Sequence, residues 1–124
     1  MCGGCRVDER EELVSKGISR ERQIRRWLEE RDFWVCRAAG SLGDADLVAL
    51  KAPMLGVSRR ILLIECKATA AGPYAHFGPK DRADLSFAAK LAGAEAWLCW
   101  HPPRGKMVWV PESSWPDVKE AVAA

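Results

Sequence analysis

Glu65 and Lys67 stand two residues apart at the end of an aliphatic run, Ile61-Leu62-Leu63-Ile64. The run reads as a buried strand, and alternate side chains of a strand share a face. The carboxylate and the ammonium therefore emerge together, about 7 Å apart at Cα. Burying either charge unpaired is costly. A divalent ion with an attacking water beside it would explain why both are there. A second acid-x-lysine triplet, Asp117-Val118-Lys119, follows Pro116 and opens a short C-terminal helix. An acid there suits the helix dipole, and helical residues two apart do not face each other, so both read as ordinary surface charges.

Two more acids extend the first pair. Asp46 opens a strand that runs to Leu50, and Glu21 lies in the first turns of a leading helix. Three carboxylates offering oxygen ligands suit a hard cation such as Mg²⁺, with Mn²⁺ as a substitute. Asp46 and Glu65 would bind it directly, joined by the backbone carbonyl of Cys66. Glu21 would act through a water or at a second ion. Such an ion stabilises charge on a scissile phosphate and lowers the pKa of its bound water. Lys67 would position or deprotonate that water, or offset the developing charge. Arginine matches phosphate geometry, and Arg22 and Arg37 are the best placed. Plainer roles exist for each acid: Glu21 pairing with Arg25 at i+4, Asp46 as a turn residue, and Glu65 with Lys67 as a structural ion pair. Three carboxylates and a lysine exceed what a structural pair requires.

The elements that must position these groups can be read from periodicity. Residues 1–14 are charged and without period, an extension that precedes a single domain over 15–124. A helix starts at Ser15 or Ser19, either of which can cap it, and buries Ile24, Trp27 and Leu28. Arg20, Arg22, Arg25, Arg26 and Arg31 occupy the rest of its surface. Strands are expected over 33–39, 46–50, 60–68, 95–100 and 107–110. A second helix over 80–92 ends at Gly93, and a short helix follows Ser114. The order α-β-β-β-α-β-β-α predicts an α/β fold, a mixed central β-sheet flanked by helices.

Composition narrows the function classes. The chain has 124 residues, enough for one core, and nearly half are apolar, which excludes a disordered chain. No apolar run approaches the ~20 residues of a membrane span, and the N-terminus lacks a secretion signal. The net charge of +2 does not by itself mark a nucleic-acid binder, so any basic footprint is local. Of five cysteines, Cys36, Cys66 and Cys99 read as reduced core residues of a cytoplasmic, intracellular protein. Cys2 and Cys5 have half-zinc-site spacing without a second pair, and read as part of a loose tail or as a pair that forms a disulfide on oxidation. Tyr74, Lys80 and Arg82 read either as DNA contacts or as a solvated face. The six tryptophans read as core or subunit interface rather than base-stacking platforms.

Four segments in order resemble a known family: Lys16-Gly17-x-x-x-Glu21-Arg22, Arg37-Ala38-Ala39-Gly40-Ser41, Asp46-Leu47-Val48-Ala49 and Ile64-Glu65-Cys66-Lys67. Together they are similar to the archaeal-type Holliday junction resolvases, restriction-endonuclease-like nucleases of the PD-(D/E)xK superfamily. The resemblance runs from about Lys16 to Val110. It implies a mixed sheet flanked by helices, a homodimer, Mg²⁺ dependence and paired nicks across a four-way DNA junction. Its catalytic positions match Glu21, Asp46, Glu65 and Lys67, and its phosphate-contacting or supporting positions match Arg22, Arg37 and Ser41. The stretch between Ser41 and Asp46 is one residue longer than the pattern and contains Asp44, a rival ligand. The segment after Lys67 is rich in alanine and glycine where lysine is expected. Alternatives are a related repair or restriction-type nuclease acting on duplex, flap or other branched DNA, and a DNA-binding module that uses no metal.

Overall fold

A computed structural model of the chain describes residues 9–38 and 45–117, with side chains from residue 19 onward. Two helices and five strands follow one another as α1 (Glu9–Glu29), β1 (Trp34–Arg37), β2 (Leu47–Lys51), β3 (Arg60–Lys67), α2 (Pro79–Ala92), β4 (Glu95–Trp100) and β5 (Val108–Pro111). A 3₁₀ turn, Glu112–Ser114, closes the series, and the backbone turns helical again at Pro116 and Asp117. The sheet order is β1-β2-β3-β4-β5. β1, β2 and β3 pair antiparallel, β3 and β4 parallel, and β4 and β5 antiparallel. The parallel pair requires a crossover, which α2 supplies.

β3 is central and buried on both faces, which is why it reads as an unbroken aliphatic run. Leu62 and Ile64 point to the α1 side with Val35, Leu47, Ala49 and Cys99, where Ile24 and Leu28 of α1 cover them. Leu63 points to the α2 side with Ala96 and Leu98, under Leu85, Ala89, Phe77 and Trp115. Burying each large apolar side chain contributes about 1.5–3 kcal/mol. These two layers supply most of the drive that holds β3 in place.

The helix ends follow local chemistry. α1 closes with Asp32 N–H donating to Glu29 O and Phe33 N–H to Leu28 O, the two bonds of a Schellman cap. Asp32 takes the left-handed position at φ 68°. α2 ends at Gly93, φ 65°, with Ala94 N–H on Ala89 O at 2.8 Å. Gly56, φ 75°, turns the β2–β3 connection beside the Met54–Val57 bridge.

Several expectations need correction. α1 is already formed at Glu9, the first described residue, well ahead of Ser15. Its first residues, Glu9 to Glu12, are all charged, so the sequence carries no apolar period to mark the start. Cys36 is exposed, because it faces outward on the edge strand β1. Trp34, two residues before it, is exposed on the same face. Arg20 does not belong to the solvated arginine face: it precedes Ile24 by one turn, and its Nε is buried with no partner among the described residues. Arg82 is buried, 7% exposed, and so is neither a DNA contact nor part of a solvated face. Its Nε and Nη2 donate to Asp117 at 2.5 and 3.3 Å, and its Nη1 to Phe77 O at 2.5 Å. Asp117 is thus a tertiary anchor rather than a free surface charge.

Candidate active site

The antiparallel register of β2 and β3 pairs Leu47 with Ile64. Asp46, one residue before β2, therefore lies beside Glu65. The backbone carries this one step past the strand: Asp46 N–H donates to Ile64 O at 2.9 Å, and Ala38 N–H to Asp46 O at 2.9 Å. Strand alternation sends Leu47 and Ile64 to the α1 side, so Asp46, Glu65 and Lys67 project together on the α2 side. The Asp46 carboxylate is fixed from below, because its Oδ2 accepts the backbone N–H of Cys66 at 2.7 Å. Lys67 Nζ lies 3.0 Å from Glu65 Oε1, and both side chains are mostly buried.

Glu65 carries the perturbed charge of this cluster. Its carboxyl is pushed up to about 7, first by burial and then by the charge of Asp46, against the lowering pull of Lys67. Asp81, in the first turn of α2, adds to the rise. An acid at a helix start reads as a partner of the dipole, and its sequence position gave no sign of proximity to Glu65. One ammonium does not balance these acids, and an added cation would. Among the described residues no three His, Cys, Asp or Glu side chains are grouped to hold a metal ion. The donors at hand are two carboxylates beside strand-end backbone. That set fits a hard ion such as Mg²⁺, which takes one or two carboxylates and completes its shell with water and substrate phosphate.

Glu21 lies on the other side of the sheet. Its Oε1 accepts Arg37 Nε at 2.7 Å, and the pairing with Arg25 does not form, since Arg25 bonds Glu29. Glu21 is nevertheless close enough that its charge, with those of Asp46 and Glu65, helps push the Cys66 thiol up, although burial is the largest cause. The structure thus brings Asp46, Glu65 and Lys67 together and sets Glu21 behind them, across Cys66. Glu21, Arg22, Arg25 and Arg37 border a hollow of about 190 Å³, with Leu47 at its floor. Arg22 is exposed on α1, and Arg25 and Arg26 continue the basic face. Ser41, Asp44, Cys2 and Cys5 lie outside the described residues.

Comparison with known proteins gives a family and a similar fold. The family model described as archaeal Holliday junction resolvase (Hjc) matches residues 12–118. Among solved structures, Hjc from the archaeal hyperthermophile Archaeoglobus fulgidus, a Holliday junction resolvase, is similar at 26% identity and a TM-score of 0.61, over 79% of this chain and 74% of that one. No curated protein matches the sequence. The mixed five-stranded sheet with its two helices is a restriction-endonuclease-like fold. The family match runs from the fourth residue of α1 through α2, all five strands and each of the acids discussed above, and on that extent the chain belongs to the archaeal Holliday junction resolvase family.

Proposed function

We propose that Asp46, Glu65 and Lys67 are the catalytic centre of a Mg²⁺-dependent endodeoxyribonuclease that resolves four-way junctions by paired nicks. The observation that carries this reading is the Glu65 carboxyl, raised to about 7 beside Asp46 with Lys67 3.0 Å away. Perturbed acids with a specific charge partner are the mark of a chemical site.

Asp46 and Glu65, with the backbone carbonyl of Cys66, would hold Mg²⁺ or Mn²⁺. The bound ion would supply Lewis-acid charge at the scissile phosphate and a more acidic water. The rest is the work of the chain's own side chains. Asp46 is held in one orientation by the Cys66 N–H, so its free oxygen faces the site without rotamer search. Lys67 keeps a positive charge within reach of the phosphate and can order the attacking water. Glu21 orients Arg37, and with Arg22 and Ser41 these groups would meet the phosphates on either side of the cut. Glu21 would reach the site through a water or serve a second ion.

Phosphate contacts position a strand without reading its sequence, which suits recognition by DNA shape. A twofold homodimer would place two such centres on symmetry-related strands. Among the described residues no helix is long and apolar enough to cross a membrane, and an intracellular enzyme acting on branched DNA is the setting we infer.

The test compares cleavage of a four-way junction with cleavage of linear duplex of the same sequence, each with Mg²⁺ and with EDTA. Symmetric nicks in the junction, absent from duplex and abolished by EDTA, support the proposal. Preferential cutting of duplex or flaps would reassign the substrate, and binding without any product would reduce the chain to a binding module.

A further inference from the structure

A second cavity lies at the other end of the sheet, on the opposite face from Glu65, where α1 ends and β3 begins. It encloses about 320 Å³, and its walls include Trp27, Phe33, Trp97 and Trp109. The size is at the low end of ligand pockets. The indoles are arranged around Trp109: Trp27 lies 5.0 Å from it, tilted by 34°, and Trp97 lies 6.2 Å away, edge-on at 78°. Trp109 Nε1 is buried with no acceptor among the described residues.

Three cations border the same cavity, Arg31, Lys51 and Arg60. Arg31 stacks on Trp27 at 3.6 Å, and Lys51 and Arg60 stand over Phe33 at 5.4 and 5.8 Å. Arg60 is neutralised by Glu95 through two hydrogen bonds of 2.9 and 2.8 Å, and Glu95 also accepts Trp97 Nε1. Arg31 and Lys51 have no carboxylate partner among the described residues. The occupant that matches this wall has a flat aromatic body and a negative charge beside it. Base–indole stacking combined with arginine and lysine at the backbone is how proteins take up unpaired nucleotides.

We infer that this cavity is a binding site for one unpaired nucleotide of a DNA strand, its base against the Trp27–Trp97–Trp109 cluster and its phosphate toward Arg31 and Lys51. Leu62 lies in its wall and Glu65 in the catalytic cluster, three residues along β3 and thus about 10 Å apart. The inference takes from the functional reading only the source of the nucleotide. Binding is measured without metal, so a failure of the catalytic assignment leaves it standing.

The experiment titrates the full chain with 5′-phosphorylated tetrathymidylate in EDTA and follows tryptophan fluorescence. The wild type should show saturable quenching. Arg31→Glu and Lys51→Glu, both at the rim, should each weaken binding at least tenfold while circular dichroism stays native. Arg104→Glu, an exposed charge elsewhere, should bind as the wild type does. Absence of quenching in the wild type overturns the inference, as does equal weakening by Arg104→Glu. So does a shift from dimer to monomer in the rim variants on sedimentation, because the cavity would then be a subunit contact.

Discussion

Asp46 Oδ2 accepts the backbone N–H of Cys66 at 2.7 Å, so one carboxylate both closes the end of the β2–β3 ladder and stands beside Glu65. The bond crosses from the residue before β2 to the acid-x-lysine segment itself. Side-chain position in the site is therefore tied to strand pairing. Asp46 has a structural and a chemical duty that mutation can separate.

Asp46→Asn keeps an acceptor for the Cys66 N–H and should leave stability close to wild type. Asp46→Ala leaves that part-buried donor unpaired and should cost about 1–3 kcal/mol. Urea unfolding of the two variants checks the ranking; equal losses would mean that the hydrogen bond is replaced by solvent at no cost.

Glu65 makes the metal-free protein less stable as pH rises. Its folded carboxyl is pushed up to about 7 from the 4.5 of a solvated glutamate, so between those values the folded state holds a proton that the unfolded state has released. Stability should therefore fall as pH rises above 4.5, and the loss is complete once pH exceeds about 7. Glu65→Gln removes this slope, so thermal midpoints of variant and wild type should diverge from pH 5 to pH 8 in favour of the variant. Mg²⁺ should raise the wild-type midpoint at pH 8 and leave that of Glu65→Gln unmoved. A flat wild-type profile in EDTA would contradict the account.

How much of this was legible depended on whether the cause was local. Ile61 to Lys67 announced a strand buried on both faces because both faces are in fact covered, and Gly93 announced the end of α2 because its left-handed turn needs no partner elsewhere. The register that sets Asp46 beside Glu65 is not written in either segment alone, although a strand-opening acid and a strand-closing acid on antiparallel neighbours are compatible with it. Arg82 could not be read, since its partner Asp117 is 35 residues away. Cys36 misled because residue type suggested a core position, whereas its place on an edge strand decided exposure. Helical spacing offered Glu21 a plain pairing with Arg25, but Arg37, 16 residues on, holds it.

Arg82 should behave as a folding residue. Arg82→Met removes the donors to Phe77 O and Asp117, and the orphaned Phe77 carbonyl alone should cost about 1–3 kcal/mol. Junction affinity of the folded variant, measured at low temperature, should match the wild type. A selective loss of affinity at unchanged stability would return Arg82 to the DNA surface.

Asp32 holds a left-handed conformation at φ 68° in the turn from α1 to β1. Asp32→Gly relieves that strain without touching a side-chain contact, and should raise stability by about 0.5–1 kcal/mol. The gain is read as a higher denaturation midpoint at unchanged m-value, and a loss would show that the carboxylate has a partner of its own.

The most direct measurement of the central claim is single-turnover cleavage of a four-way junction by Glu65→Gln and Asp46→Asn, alongside their junction affinities in EDTA. The account predicts cleavage reduced by at least a thousandfold in both, with affinity within a few-fold of wild type. Cleavage that survives either substitution, or affinity and cleavage that fall together, would contradict it.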